Sequence, residues 1–205
     1  MFSRFFADYK KKSNLKKLKD DEFNFLFEEP EDDVVIVFDT ETTGLNPAKD
    51  EILSIGAVKI KNNKILTSQT FEVYLKPSKE ISTTSIQIHQ IRPCDVKDAR
   101  EVEEAIKEFL YFIGSAPLVG YYLEFDVAMI NKYIKPMLGI TLQNKMIEVS
   151  EMYFDKTITL IPQGNIDLRF DTILKKCNIP QMGAHNAVND AIMTAMIYLK
   201  LTKEK

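Results

Sequence analysis

Val34-Val35-Ile36-Val37-Phe38-Asp39-Thr40-Glu41-Thr42-Thr43-Gly44-Leu45 opens on five apolar residues and closes on two acids, three threonines and a glycine. A continuous, largely β-branched run of this kind predicts a central strand buried on both faces. Side chains at i and i+2 of an extended chain share a face, about 7 Å apart at their Cα atoms. Asp39 and Glu41 are therefore expected to point the same way. Two like charges at the end of a hydrophobic strand are unfavourable unless a cation or a proton neutralises them. The competing reading is a pair of strand-end carboxylates that cap turn N–H groups.

Working outward, EILSIGAVKIK (51–61) and KILTSQTFEVYLKP (64–77) read as two further strands. Lys61-Asn62-Asn63-Lys64 joins them, and the asparagines favour a tight hairpin. REVEEAIKEFLYFIG (100–114) places Val102, Ala105, Ile106, Phe109, Leu110 and Ile113 on one helical face, with Gly114 as the stop. APLVGYY (116–122) reads as a short buried strand. EFDVAMINKYIKPML (124–138) reads as a helix with Phe125, Ala128, Met129, Tyr133 and Ile134 inward. LRFDTILKKCNI (168–179) and AVNDAIMTAMIYLKL (187–201) are two more helices. Three strands leading into alternating helices and a strand describe an α/β fold, a mixed sheet covered by helices.

The chain has 205 residues, 45% of them hydrophobic and 28% charged, which suffices for one domain with a proper core. Its net charge of −3 excludes a protein that grips nucleic acid by bulk lysine. Cys94 and Cys177 form no CxxC pair, so neither a disulfide framework nor a cysteine zinc site is supported. No apolar run approaches the roughly 18–20 residues that span a bilayer. MFSRFFADYKKK lacks the pattern of a signal peptide, so a cytoplasmic, reduced protein without membrane attachment is expected. Residues 1–33 stand apart. Arg4 and six lysines against Asp8 and Asp20 give residues 1–20 a charge of +5, whereas residues 21–33 carry seven acids and no base. Interleaved aromatics (Phe2, Phe5, Phe6, Tyr9, Phe23, Phe25, Phe27) suggest that this arm docks, on its own domain or on a partner. Residues 34–205 form the expected second unit.

Two more acids fit the chemistry of Asp39 and Glu41. Asp126 follows Phe125 near the start of a predicted helix, and Asp190 lies in the first turn of the last one. Either could simply favour the positive end of a helix dipole. His185 precedes Asp190 by five residues, so the two cannot share one helical face, and His185 is expected on the loop before the helix. A loop histidine near carboxylates is a plausible general base. Four carboxylates without soft ligands select Mg²⁺ or Mn²⁺ over zinc, and suit two ions about 3.5–4 Å apart. Such a pair serves phosphodiester hydrolysis.

The boxes Asp39-Thr40-Glu41-Thr42-Thr43-Gly44-Leu45, Phe125-Asp126 and His185-x4-Asp190 resemble the DEDD exonuclease superfamily in its histidine-containing, DnaQ-like branch. That branch includes the proofreading epsilon subunit of bacterial DNA polymerase III, RNase T and oligoribonuclease. The resemblance covers roughly 33–201, and SIGAVKI (54–60) and IHQI (88–91) match secondary patterns of the family. It implies a ribonuclease H-like fold and stepwise 3′→5′ release of nucleoside 5′-monophosphates from single-stranded DNA or RNA 3′ ends. By that resemblance Asp39 bridges two Mg²⁺ (or Mn²⁺) ions, Glu41 and Asp190 hold the ion on the nucleophile side, and Asp126 lies near the other. His185 takes the proton from the attacking water. Thr42, Thr43, Gly44 and Leu45 line the pocket for the 3′-terminal nucleotide, with His89 nearby or merely bracing its loop.

One departure is local. Where the family commonly has a His-Asn pair before Phe-Asp, this chain has Tyr121 and Tyr122. Two readings fit: a stacking floor for bases, or tyrosines packed in the sheet with one hydroxyl satisfied. The leading function is a metal-dependent 3′→5′ exonuclease, DNA favoured. An exoribonuclease or short-oligonucleotide nuclease comes second, and a non-catalytic binding module is disfavoured by the intact acidic set. The sequence ends four residues past the last predicted helix, which leaves the N-terminal arm as the candidate contact for a polymerase or other partner.

Overall fold

The computed structural model describes residues 11–159, 165–183 and 185–203. The opening run forms strand β1 (Val34–Thr42) at the centre of a five-stranded sheet. It pairs antiparallel with β2 (Ile52–Lys61), which pairs antiparallel with β3 (Lys64–Tyr74). On its other side β1 runs parallel to β4 (Leu118–Gly120), and β4 parallel to β5 (Met146–Glu148). The order β3-β2-β1-β4-β5 is the mixed sheet that the sequence predicts. Asn62 and Asn63 in the β2–β3 hairpin both have positive φ, 50° and 57°, as a two-residue type I′ turn requires.

Six helices accompany the sheet among the described residues: α1 (Thr83–His89), α2 (Val102–Ile113), α3 (Leu123–Leu138), α4 (Val149–Ile158), α5 (Phe170–Lys176) and α6 (Ala187–Lys203). The two-residue period of β1 sorts its side chains between two layers. Ile36 and Phe38 pack with Ile106 and Phe109 of α2 and Val127 and Ile130 of α3. Val37 packs instead with Ala191 and Ile197 of α6, Val149 of α4 and Ile173 of α5. Burying each such side chain contributes about 1.5–3 kcal/mol. Continuing the alternation, Asp39 and Glu41 fall on the α6 side and Thr40 on the α3 side.

Several sequence expectations change. The strand expected over 116–122 is only Leu118–Gly120, because the chain bends at Tyr121 and Tyr122, and Tyr122 takes a left-handed backbone (φ 57°) before α3. In α3 the buried stripe is Leu123, Val127, Ile130, Ile134 and Leu138, with Asp126 and Met129 beside it. Phe125, Ala128 and Tyr133 are only half-buried. The phase shifts because the helix begins one residue earlier, at Leu123, and that leucine joins the core. Helices α1 and α4 and strand β5 were not expected: Thr83–His89 is too short for a clear 3.6-residue period, and Met146–Glu148 too short for an alternation.

Residues 11–33 lie against the far end of α3. A 3-10 helix over Asp21–Phe27 is capped by Asp20, whose Oδ1 accepts the Glu22 N–H at 3.0 Å. It buries Phe23 and Leu26 completely in the α2–α3 layer, and Phe25 stacks on Tyr111 at 5.2 Å. Lys19 N–H donates to the Leu138 carbonyl at 3.0 Å. Phe2, Phe5, Phe6 and Tyr9 lie outside the described residues. No helix among the described residues is long and apolar enough to cross a membrane, and neither cysteine forms a disulfide among them.

Candidate functional site

The pairing of β1 with β2 slips between Glu41 and Thr42, so the strand bends immediately after its second acid. Asp39 lies opposite Gly56 of β2, and Glu41 opposite Ser54. Gly56 has a specific job there: a Cβ on it would sit 2.2 Å from the Ala187 carbonyl carbon and the Val188 nitrogen. The first turn of α6 thus rests directly on the bare backbone of β2. Asn186 fixes that turn by accepting the Asn189 N–H on its side-chain oxygen at 3.0 Å. The result is that Asp190 reaches Asp39 and Glu41, and carboxylate oxygens of the three lie within 4.8 Å of one another.

Asp126 arrives from the opposite layer. Its Oδ1 accepts the Thr40 N–H at 3.0 Å and the Thr40 hydroxyl at 2.5 Å, and the side chain is almost fully buried. It is close enough to act electrostatically on Asp39 and Glu41, yet it is not one of the group of three. No side chain of its own segment caps α3. Glu148, at the end of β5, does so instead: one oxygen accepts the Leu123 N–H at 2.8 Å, and the other accepts the Ser150 N–H at 3.0 Å and the Ser150 hydroxyl at 2.7 Å.

The charges bear out the cost of this gathering. Burial, then the neighbouring Asp126, Glu41 and Asp190, push the Asp39 carboxyl well above its ordinary range. Burial and then Asp190 and Asp126 push Glu41 up to about 8. Burial raises Asp126 despite the Thr40 hydrogen bonds that pull it down. Asp190 rises to about 6, again through burial, held back by the His185 imidazole and backbone N–H. His185 itself is exposed on the loop before α6, with φ 61°.

The stretch after Glu41 is braced from several directions. Thr42 Oγ1 donates to the Gly44 carbonyl at 2.7 Å, and the Thr43 N–H to the Glu51 carbonyl at 2.9 Å. The Asp50 carboxylate accepts the Asn46 N–H at 2.8 Å and lies where a Cβ on Gly44 would be. Ser85 of α1 donates its hydroxyl to the Thr43 carbonyl at 2.6 Å. Leu45 stands out from this loop, 84% exposed. His89, at the last turn of α1, is buried; its Nδ1 accepts the Ile91 N–H at 3.0 Å, while Nε2 has no hydrogen-bond partner among the described residues. The two tyrosines part company. Tyr121 packs on Phe170 and donates its hydroxyl to the Leu168 carbonyl at 3.1 Å, whereas Tyr122 is 68% exposed and stacks on Phe125, 6.1 Å between centroids.

Residues 36–198 match the RNase T exonuclease family. The chain belongs to that family. A DNA polymerase III PolC-type protein of Caldanaerobacter subterraneus subsp. tengcongensis is 37% identical over 169 residues, which are 82% of this chain and 12% of that protein. The PolC-type protein of Bacillus subtilis is 31% identical over 175 residues, 85% of this chain and again 12% of the relative. The chain therefore spans only about an eighth of the length of these relatives. Among solved structures, Escherichia coli exonuclease I in complex with a dT13 oligonucleotide superposes with a TM-score of 0.66 at 18% identity, over 83% of this chain and 41% of that one. Exonuclease X bound to 5′-overhanging duplex DNA gives 0.64 at 21% identity, over 82% and 91%. At these identities the two structures establish the shared ribonuclease H-like fold.

Within this exonuclease-family fold the acidic group fits a divalent cation. Its donors are all carboxylate oxygens, which suit hard ions. The raised carboxyls are what a buried like-charge cluster shows when a proton stands in for the missing positive charge. Three contributors carry no sequence signal beyond their own letter. Thr40 sits between the two acids, Gly56 lies inside a largely apolar strand, and Glu148 lies outside any expected element. A glycine inside a strand does flag close backbone approach, and that is the one hint that could have placed α6.

Proposed function

We propose that this exonuclease-family chain removes nucleotides from the 3′ end of single-stranded nucleic acid, DNA favoured, releasing nucleoside 5′-monophosphates. The observation that carries the reading is the convergence of Asp39, Glu41 and Asp190 across β1 and α6, with Asp126 entering beside them on Thr40. Asp39, Glu41 and Asp190 would hold one divalent ion, and Asp39 with Asp126 a second, each Mg²⁺ or Mn²⁺. Such ions would neutralise the carboxylates and would supply an activated water and stabilisation of the leaving oxygen. His185, exposed on its loop beside Asp190, accepts the proton of the attacking water. Thr42, Thr43, Gly44 and Leu45 receive the terminal nucleotide, and the unpartnered Nε2 of His89 offers it a donor. The nucleic acids in the structures of exonuclease I and exonuclease X support a DNA substrate.

The test is digestion of 5′-labelled DNA and RNA oligonucleotides in parallel with Mg²⁺, with Mn²⁺ and with chelator. Shortening from the 3′ end with mononucleotide release, abolished by chelator, is expected. Activity that survives chelation would overturn the metal mechanism. Preferential digestion of RNA would replace the DNA reading with the exoribonuclease one.

A further inference from the structure

The proposed site has a closed side and an open side. The loop that receives the terminal nucleotide is tied to α1 through Ser85 and Thr43. The open side is the one where Phe125 immediately precedes Asp126, next to a cavity lined by Tyr122, Leu123, Glu124 and Val127. There Tyr122 stacks on Phe125 with 12° between the ring planes. Its left-handed backbone turns that ring outward, whereas its neighbour Tyr121 packs on Phe170. An exposed tyrosine backed by a half-buried phenylalanine is a platform for one base.

Beyond the platform the surface changes character. A cavity of about 690 Å³ opens beside Tyr122; its charged walls are Glu124, Glu148 and Glu151, with no lysine or arginine among the described residues that line it. Single-stranded nucleic acid gains affinity from each phosphate that a protein cation neutralises. This rim neutralises none and repels the chain within a Debye length, about 8–10 Å at ordinary salt.

Resting on the exonuclease reading above, we infer that the enzyme recognises only the last two nucleotides of its substrate, the terminal one in the Thr42–Leu45 loop and the next on Tyr122. The acidic wall ends the track. Substrates are thus taken by their tip, and chain length beyond two or three nucleotides adds nothing to recognition.

The experiment measures kcat/KM with Mg²⁺ at low salt for oligothymidylates from two to twenty nucleotides. It compares the wild type with a Glu124→Lys/Glu151→Lys variant, two changes at exposed positions outside the proposed catalytic set. The wild-type values should agree within about twofold from the trinucleotide upward. The variant should gain on the order of fivefold or more for the twenty-mer and nothing for the dinucleotide. A wild-type value rising about tenfold from three to twenty nucleotides would overturn the inference, as would charge reversal without effect on the long substrate. Failure of the wild type to cleave any length would overturn the exonuclease reading itself, and this inference with it.

Discussion

The two ends of α3 are built on opposite terms. At its C-terminal end Gly139 takes φ 75°, and a Cβ there would lie 2.5 Å from the Lys17 carbonyl, so the chain of residues 17–27 closes tightly over it. Phe23 and Leu26 join the core there, and the Leu138 and Pro136 carbonyls accept from the Lys19 N–H and ammonium. At the N-terminal end Asp126 is buried among other acids, Tyr122 is left-handed and outward, and the cap comes from Glu148 on another element. One end supplies stability and the other stores electrostatic cost. The lesson is that one helix joins a region that contributes stability to one that carries electrostatic cost.

That contrast can be broken from either end. The largest effect belongs to Asp39→Ala, which should reduce nuclease activity to background while leaving the fold intact, checked by single-turnover digestion and circular dichroism. Without cation, this variant should even melt higher than the wild type near pH 8, because a crowded carboxylate is gone. His185→Ala should come next, lowering the single-turnover rate by roughly 10²–10⁴. Its Mn²⁺ affinity, read by calorimetry, should stay within about threefold, since the acidic set is untouched. Full rate in this variant would remove His185 from its proposed role.

Phe23→Ala tests the other end. Truncating a fully buried phenylalanine costs about 3–5 kcal/mol, so the denaturant midpoint should fall while the folded fraction keeps its rate per molecule. A midpoint unchanged would mean that residues 11–33 contribute little to the packing they cover. The smallest effect is a dependence on pH. Asp39, Glu41, Asp126 and Asp190 all have raised carboxyls in the folded state. Their contribution is fully present below the unfolded range near pH 4 and is lost as pH rises through the folded values, about 6 for Asp190 and about 8 for Glu41. The cation-free protein should therefore lose melting temperature between pH 5 and pH 8, and Mg²⁺ or Mn²⁺ should restore it most at the upper end. A cation-free melting temperature that rose over this window would contradict the crowding of the acids.

What could be read from the sequence was what the chain keeps local. Asp39 and Glu41 share a face because two residues separate them on one strand, and β1, β2, β3, α2 and α6 carry enough period to declare themselves. His185 and Asp190 are bound together by their spacing alone. Non-local facts were not legible. That Asp126 enters from the layer opposite Asp39 depends on the parity of Thr40, which means nothing until α3 is placed. The divergence of Tyr121 and Tyr122 follows from one left-handed residue in a bend, where both letters are the same. The phase of α3 hinged on Leu123, a residue left between the expected strand and the expected helix.

Gly56 makes a substrate trap conceivable. Because the backbone of the first turn of α6 lies against that glycine, a single methyl group there should displace the turn that carries Asp190 while every acid remained in the chain. A Gly56→Ala protein would keep the aromatic platform, the Thr42–Leu45 loop and the charge of the wild type. It should therefore hold a 3′ end without consuming it, a property that acid-deleted variants, with their altered field, cannot offer as cleanly.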